Sequence, residues 1–206
     1  MLNRFSIISP FIVLLISSPW GVILATDAKS VEALASQTCA ACHGPDGNSA
    51  IPTFPNLAGQ AAGYIADQLA RIQSGERTIP EMAGFVANLS AEDMQNLGTF
   101  YAAQAARQAS IPESDVESAE RGERLYRGGD GSMGIAACTG CHAPNGYGVP
   151  QAYPRVANQH RDYLKKQLLA YKSGQRKSRE EIMNDIAFLL SEQQIEDVST
   201  YIYALK

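Results

Sequence analysis

The sequence predicts an all-α protein built from two tandem copies of one small helical unit. Three observations lead there. The chain repeats itself: Pro55-Asn-Leu-Ala-Gly-Gln60 is matched by Pro154-Arg-Val-Ala-Asn-Gln159, Tyr64 by Tyr163, Gln68-Leu69 by Gln167-Leu168, and Ser74-Gly75-Glu-Arg77 by Ser173-Gly174-Gln-Arg176, all at an offset of 99. Farther along, the offset becomes 101 and sets Met82 on Met183, Leu89-Ser90 on Leu190-Ser191 and Tyr101 on Ile202. Apolar residues also recur at helical spacing, as Ala61, Ile65, Leu69 and Ile72 over 61–74 and as Tyr163, Leu164, Leu168 and Tyr171 over 160–173. Finally, no run shows the alternation of a half-buried strand, whereas helix-start signals occur in both copies.

Taken in order, residues 1–25 read as a secretory signal. Arg4 supplies the positive end, a mostly apolar stretch follows, and small residues offer cleavage after Ala25 or Ala28. Pro10 and Pro19 argue against a regular membrane-spanning helix there. The first copy then occupies 26–110 and the second 111–206, joined around 108–116, where Pro112 stops the preceding helix. In each copy a prolyl loop (51–55 and 149–154) precedes the periodic helix. A later helix opens on a capping serine, Ser90 with early acids and Ser191 with the capping-box spacing to Gln194. Apolar residues are 45% of the 206-residue chain, enough for packed cores. Its net charge of −4 argues against a nucleic-acid partner.

All four cysteines fall in two copies of one pattern, Cys39-Ala-Ala-Cys42-His43 and Cys138-Thr-Gly-Cys141-His142. C-x-x-C-H is the attachment signature of c-type haem. Two thiols from one turn of chain reach the two vinyl groups of a porphyrin, and the adjacent histidine is placed beneath the iron as an axial ligand. Two disulfides, a zinc site or a redox dithiol would not demand a histidine after each pair. Two covalently attached haem c groups are therefore expected, with His43 and His142 on the irons. Among the methionines, Met82 and Met183 are the pair preserved by the duplication, 39 and 41 residues beyond their histidines. Met94 matches Ile195 and reads as core, Met133 lies in a Gly-rich insertion, and His160, matched to Ala61, reads as an exposed helix-start residue and not a ligand.

With these motifs, each half resembles a class I cytochrome c domain, and the pair resembles the dihaem cytochrome c4 family over nearly the whole chain beyond the signal. The resemblance implies that Met82 and Met183 close the sixth iron positions and that the carbonyls of Pro55 and Pro154 accept the other N–H of each axial histidine. A methionine-closed iron suits electron transfer and raises the potential. Arg77 and Arg176 are candidates to pair with haem propionates, or to be solvated. The implied function is a periplasmic electron carrier of a respiratory chain and not an enzyme, with redox protein partners such as quinol–cytochrome c reductase as donor and a terminal oxidase as acceptor. Peripheral association with the membrane face stays open. The alternatives are the dihaem subunit of a larger oxidoreductase, such as flavocytochrome c sulfide dehydrogenase, a dihaem peroxidase or a thiosulfate-oxidising enzyme. Charge is uneven: 26–110 carries eight acids and four bases, whereas Arg161 to Arg179 holds seven bases and one acid, Asp162. That segment is expected either to orient the molecule toward partners or to be a solvated face.

Overall fold

The computed structural model describes residues 31–150 and 153–206. The signal reading of 1–25 lies outside the described residues. The first helical segment passes through a π-helical turn, Ala35–Cys39, into α1 (Ala40–His43). There follow α2 (Ala62–Gln73), α3 (Pro80–Val86), α4 (Ala91–Ala102), α5 (Val116–Gly128), α6 (Thr139–His142), α7 (Arg161–Lys172), α8 (Ile182–Leu189) and α9 (Glu192–Tyr203). Among the described residues the only β pairing is two isolated bridges, Asp130–Ile135 and Val149–Tyr153. The all-α expectation holds.

Each half builds its own core. In the first, α2 packs on α4, burying Val31, Ala35, Ile65, Leu97 and Tyr101. In the second, α5 crosses α9, and α7 lies against α8 and α9, around Leu125, Tyr126, Ile135, Leu164, Ile195, Val198 and Ile202. The α5–α9 crossing is close because Gly122 has no side chain: a Cβ there would stand 2.0 Å from the Asp197 carbonyl oxygen. Met94 is buried in α4, as its match to the buried Ile195 implies. Both later helices start on complete capping boxes. Ser90 accepts from the Asp93 N–H while the Asp93 side chain accepts from the Ser90 N–H, and Ser191 with Gln194 does the same.

The halves differ in how they approach the C-x-x-C-H turn. In the first, the helical segment runs directly into it through the π turn. In the second, α5 stops at Gly129 (φ 67°), and the Gly-rich segment folds back on the Asp130–Ile135 bridge before Cys138.

Candidate functional site

A single helical turn carries each motif. Cys39 ends the π turn, so Cys42 and His43 follow on α1; Cys138 caps α6, which carries Cys141 and His142. The chain then leaves through a left-handed residue, Gly44 (φ 76°) or Ala143 (φ 64°), which turns it toward the prolyl loop. In the second half, Tyr126 (0% exposed) secures this exit by donating its hydroxyl to the Ala143 carbonyl at 2.7 Å. All four cysteines are free thiols. Burial pushes the Cys138 thiol up to about 11 and raises that of Cys39, against a hydrogen bond with Tyr101 that lowers it. No group of three or more metal-capable side chains forms among the described residues.

The two histidines are buried and identically held. His43 Nδ1 lies 2.9 Å from the Pro55 carbonyl oxygen, and His142 Nδ1 lies 2.9 Å from that of Pro154. A carbonyl can only accept, so Nδ1 carries the proton and Nε2 keeps its lone pair. Burial lowers both imidazole pKa values, more than the bond to the carbonyl raises them. Each ring is therefore neutral, as a metal ligand must be. Phe54 meets the His43 ring edge-on at 6.2 Å, and Tyr153 meets His142 at 6.3 Å. The sequence reading missed this aromatic pair; its signal was the offset of 99 shared by 54 and 153.

Met82 and Met183 each sit in the first turn of a short helix, α3 and α8. One continuous cavity of about 2160 Å³ is lined by Cys39, Cys42, His43 and Met82 and also by Cys138, Cys141, His142 and Met183. Ordinary small-ligand pockets run to about 1,000 Å³, so this cavity has room for more than one such ligand.

Most of the duplicated residues turn out to join the halves. The Gln60 side chain accepts from Arg155 N–H and donates to Arg155 C=O (both 2.9 Å), while Gln159 does the same with Asn56 (2.8 and 2.9 Å). Since 155 is 56 at the repeat offset, the contact is two-fold. Arg77 donates to Gln68 of its own half and to Tyr163 and Gln167 of the other; Arg176 donates to Gln167 of its own half and to Tyr64 and Gln68 of the other. Both arginines line the cavity, Arg77 half-buried and Arg176 buried. Burial would lower the Arg176 pKa, but the phenols of Tyr64, Tyr163 and Tyr171 around it hold it above the ordinary value. No carboxylate of the described residues lies within ion-pair distance of either one.

His160 does start a helix, as expected, but it is half-buried, and its Nε2 reaches across to the Ser49 carbonyl at 3.0 Å. It does not line the cavity. The basic segment is largely occupied internally. Arg161 meets Asp115, Lys165 meets Glu196, Lys177 meets Glu181 and Arg179 meets Asp67, while Lys172 caps the carbonyls of Phe188 and Leu190. Lys166 remains exposed. An orienting role for this segment therefore has little free charge to draw on.

The chemistry of the donor set fits haem c in both halves. Two adjacent free thiols, a neutral imidazole with its second nitrogen tethered, a thioether and an apolar cavity wall are present twice over.

Comparison with known proteins agrees. Residues 119–206 match the cytochrome c family model, and residues 26–100 match that of cytochrome c oxidase, cbb3-type, subunit III. The cytochrome c4 of Azotobacter vinelandii is 42% identical over 179 residues, covering 81% of this chain and 84% of that protein. A thiosulfate dehydrogenase electron acceptor of Stutzerimonas stutzeri is 39% identical over 170 residues, covering 81% and 78%. The crystal structure of reduced recombinant cytochrome c4 from Pseudomonas stutzeri superposes with a TM-score of 0.82 at 36% identity, covering 87% of this chain and 98% of that one.

Proposed function

The chain belongs to the cytochrome c4 family, a dihaem electron-transfer cytochrome with two covalently attached haem c groups, and from that premise we propose that it shuttles electrons in a periplasmic respiratory chain. The observation that carries this reading is the shared cavity, which puts both C-x-x-C-H turns and both conserved-by-duplication methionines on one internal space. Cys39, Cys42, Cys138 and Cys141 hold the two groups. His43 and Met82 ligate one iron, and His142 and Met183 the other. Pro55 and Pro154 orient the histidines and strengthen them as donors. Arg77 and Arg176, which lack carboxylate partners, take haem carboxylates at the junction of the halves. The units run 26–110 and 111–206, after a cleaved signal at 1–25. With both irons closed by methionine, the protein carries electrons and turns over no substrate. Among the described residues, no helix is long and apolar enough to cross a membrane; peripheral association with the membrane face belongs to the same reading.

The donor in this reading is a quinol–cytochrome c reductase and the acceptor a terminal oxidase. A second reading, as the acceptor for a thiosulfate dehydrogenase, draws on the relative of that name. Stopped-flow reduction of the oxidised holoprotein by each purified donor tests them. Fast, saturable reduction by the reductase with no turnover of thiosulfate or peroxide alone is expected. Reduction only by the dehydrogenase selects the second reading, and direct turnover of either compound contradicts the carrier role.

A further inference from the structure

The two methionine-bearing helices are held alike at one end and differently at the other. At the far end, Gln73 of α2 donates to the carbonyls of Val86, the last residue of α3, and Leu89, just beyond it, at 2.7 and 2.9 Å. Lys172, its match at the offset of 99, donates to the carbonyls of Phe188, in the last turn of α8, and Leu190, just beyond it, at 2.7 and 2.6 Å. The near end, beside the methionine, is different. In the second half the Asn184 amide donates to the carbonyls of Tyr171, in α7, and Arg176 at 2.9 and 2.8 Å, while its oxygen accepts from the Ser178 N–H at 3.0 Å. The Ser178 hydroxyl oxygen in turn accepts from the Met183 N–H at 2.9 Å. In the first half the matching positions are Ala83 and Ile79, which have no polar side-chain atoms. There the Met82 N–H bonds only to the Ile79 carbonyl at 3.0 Å, in its own turn. Pro80 fixes one dihedral but ties the turn to nothing else.

We propose that Asn184, with Ser178, is a positioning residue for Met183, so that the sixth iron bond of the second half persists where that of the first half opens. The segment between Arg176 and Met183 is two residues longer than its counterpart, and Glu180 and Glu181 sit in left-handed backbone at φ 54° and 57°. Such a conformation persists only where its surroundings over-determine it, and the Asn184 bonds to α7 and to the loop supply that. Movement of Met183 away from an iron requires those bonds to break together. Met82 needs only its own short helix to shift. The first half is therefore the one that admits a small external ligand first. This inference rests on Met82 and Met183 being axial ligands.

Cyanide exchange on the oxidised holoprotein tests it. At each iron an Fe–S bond breaks and an Fe–C bond forms with no change of oxidation state, and the loss of methionine–iron charge-transfer absorption follows it. At saturating cyanide the wild type is expected to lose half of the absorption in a fast phase and half in a slow one. Asn184→Ala should accelerate the slow phase about tenfold or more and leave the fast phase alone, and Ser178→Ala should do so to a smaller degree. Far-UV circular dichroism checks that both variants are folded. A single phase in the wild type overturns the proposal, as does a folded Asn184→Ala whose slow phase is unchanged or whose fast phase alone responds. Met183→Ala separates the two ideas: loss of the slow phase upholds the axial reading, whereas its survival refutes that reading and the inference with it.

Discussion

Asp197 shows how a single acid is held in this fold. Its carboxylate accepts from Arg121 at 2.8 and 2.9 Å, from Ser118 at 2.8 Å and from Gln193 at 3.0 Å. Burial pushes its pKa up, but these donors pull it further down, so the net value lies below the usual carboxylate range. A depressed folded-state pKa adds stability that is present above the unfolded value of about 4 and is lost as pH falls through the folded one. Asp197→Asn should therefore lower the melting temperature at pH 7 and flatten the loss of stability as pH falls below about 4, read from melts across the acid range. Arg176 is a second such residue. Its guanidinium fork bonds Gln167, Tyr64 and Gln68 at once, and truncation removes the Tyr64 partner and leaves both glutamine oxygens to Arg77 alone. Arg176→Ala is expected to cost about 2–4 kcal/mol in denaturant unfolding of the holoprotein. The repeat revealed that this arginine mattered. It did not reveal that its bonds cross between the halves, because sequence spacing carries no information about which surface a side chain faces.

Among the elements, those with strong local signals were legible. The two periodic segments fold as α2 and α7 within a residue of their expected ends, and both capping serines work as read. Ser90→Ala and Ser191→Ala should each cost about 1 kcal/mol, seen as a lower denaturation midpoint with unchanged m-value. α5 was not legible. Its thirteen residues include Glu117, Glu120, Arg121, Glu123, Arg124 and Arg127, which leave a thin apolar stripe, and Gly122 in the middle lowers helix propensity. That glycine is there for packing against α9. Gly122→Ala forces the Asp197 backbone aside and is expected to destabilise by about 1–3 kcal/mol, despite the better helix former, as a calorimetric melt would show. The π turn at Ala35–Cys39 was equally invisible, since nothing in a sequence marks one widened turn.

At the scale of the whole molecule, the duplication explains which residues repeat. A two-fold junction needs the same contacts on both sides, so Gln60 and Gln159, Arg77 and Arg176, and Gln68 and Gln167 recur because each half is the other's partner. The offset of 99 thus carried two signals, the C-x-x-C-H turns and the junction around the shared cavity, and only the first could be decoded from residue type. Replacing Gln60 and Gln159 together with Ala removes four cross-half bonds to backbone. The expected outcome is faster proteolysis near residues 103–112 while both halves keep their haem absorption. The central claim is two closed carrier centres, and it is tested most directly by optical titration of the purified holoprotein. Haem per chain is quantified, followed by methionine–iron charge-transfer absorption per haem in the oxidised state and carbon monoxide binding on reduction. Two haems, full methionine absorption at both and no carbon monoxide adduct are expected. Half the absorption with one haem taking up carbon monoxide would contradict the account, and it would make one iron an open, reactive centre.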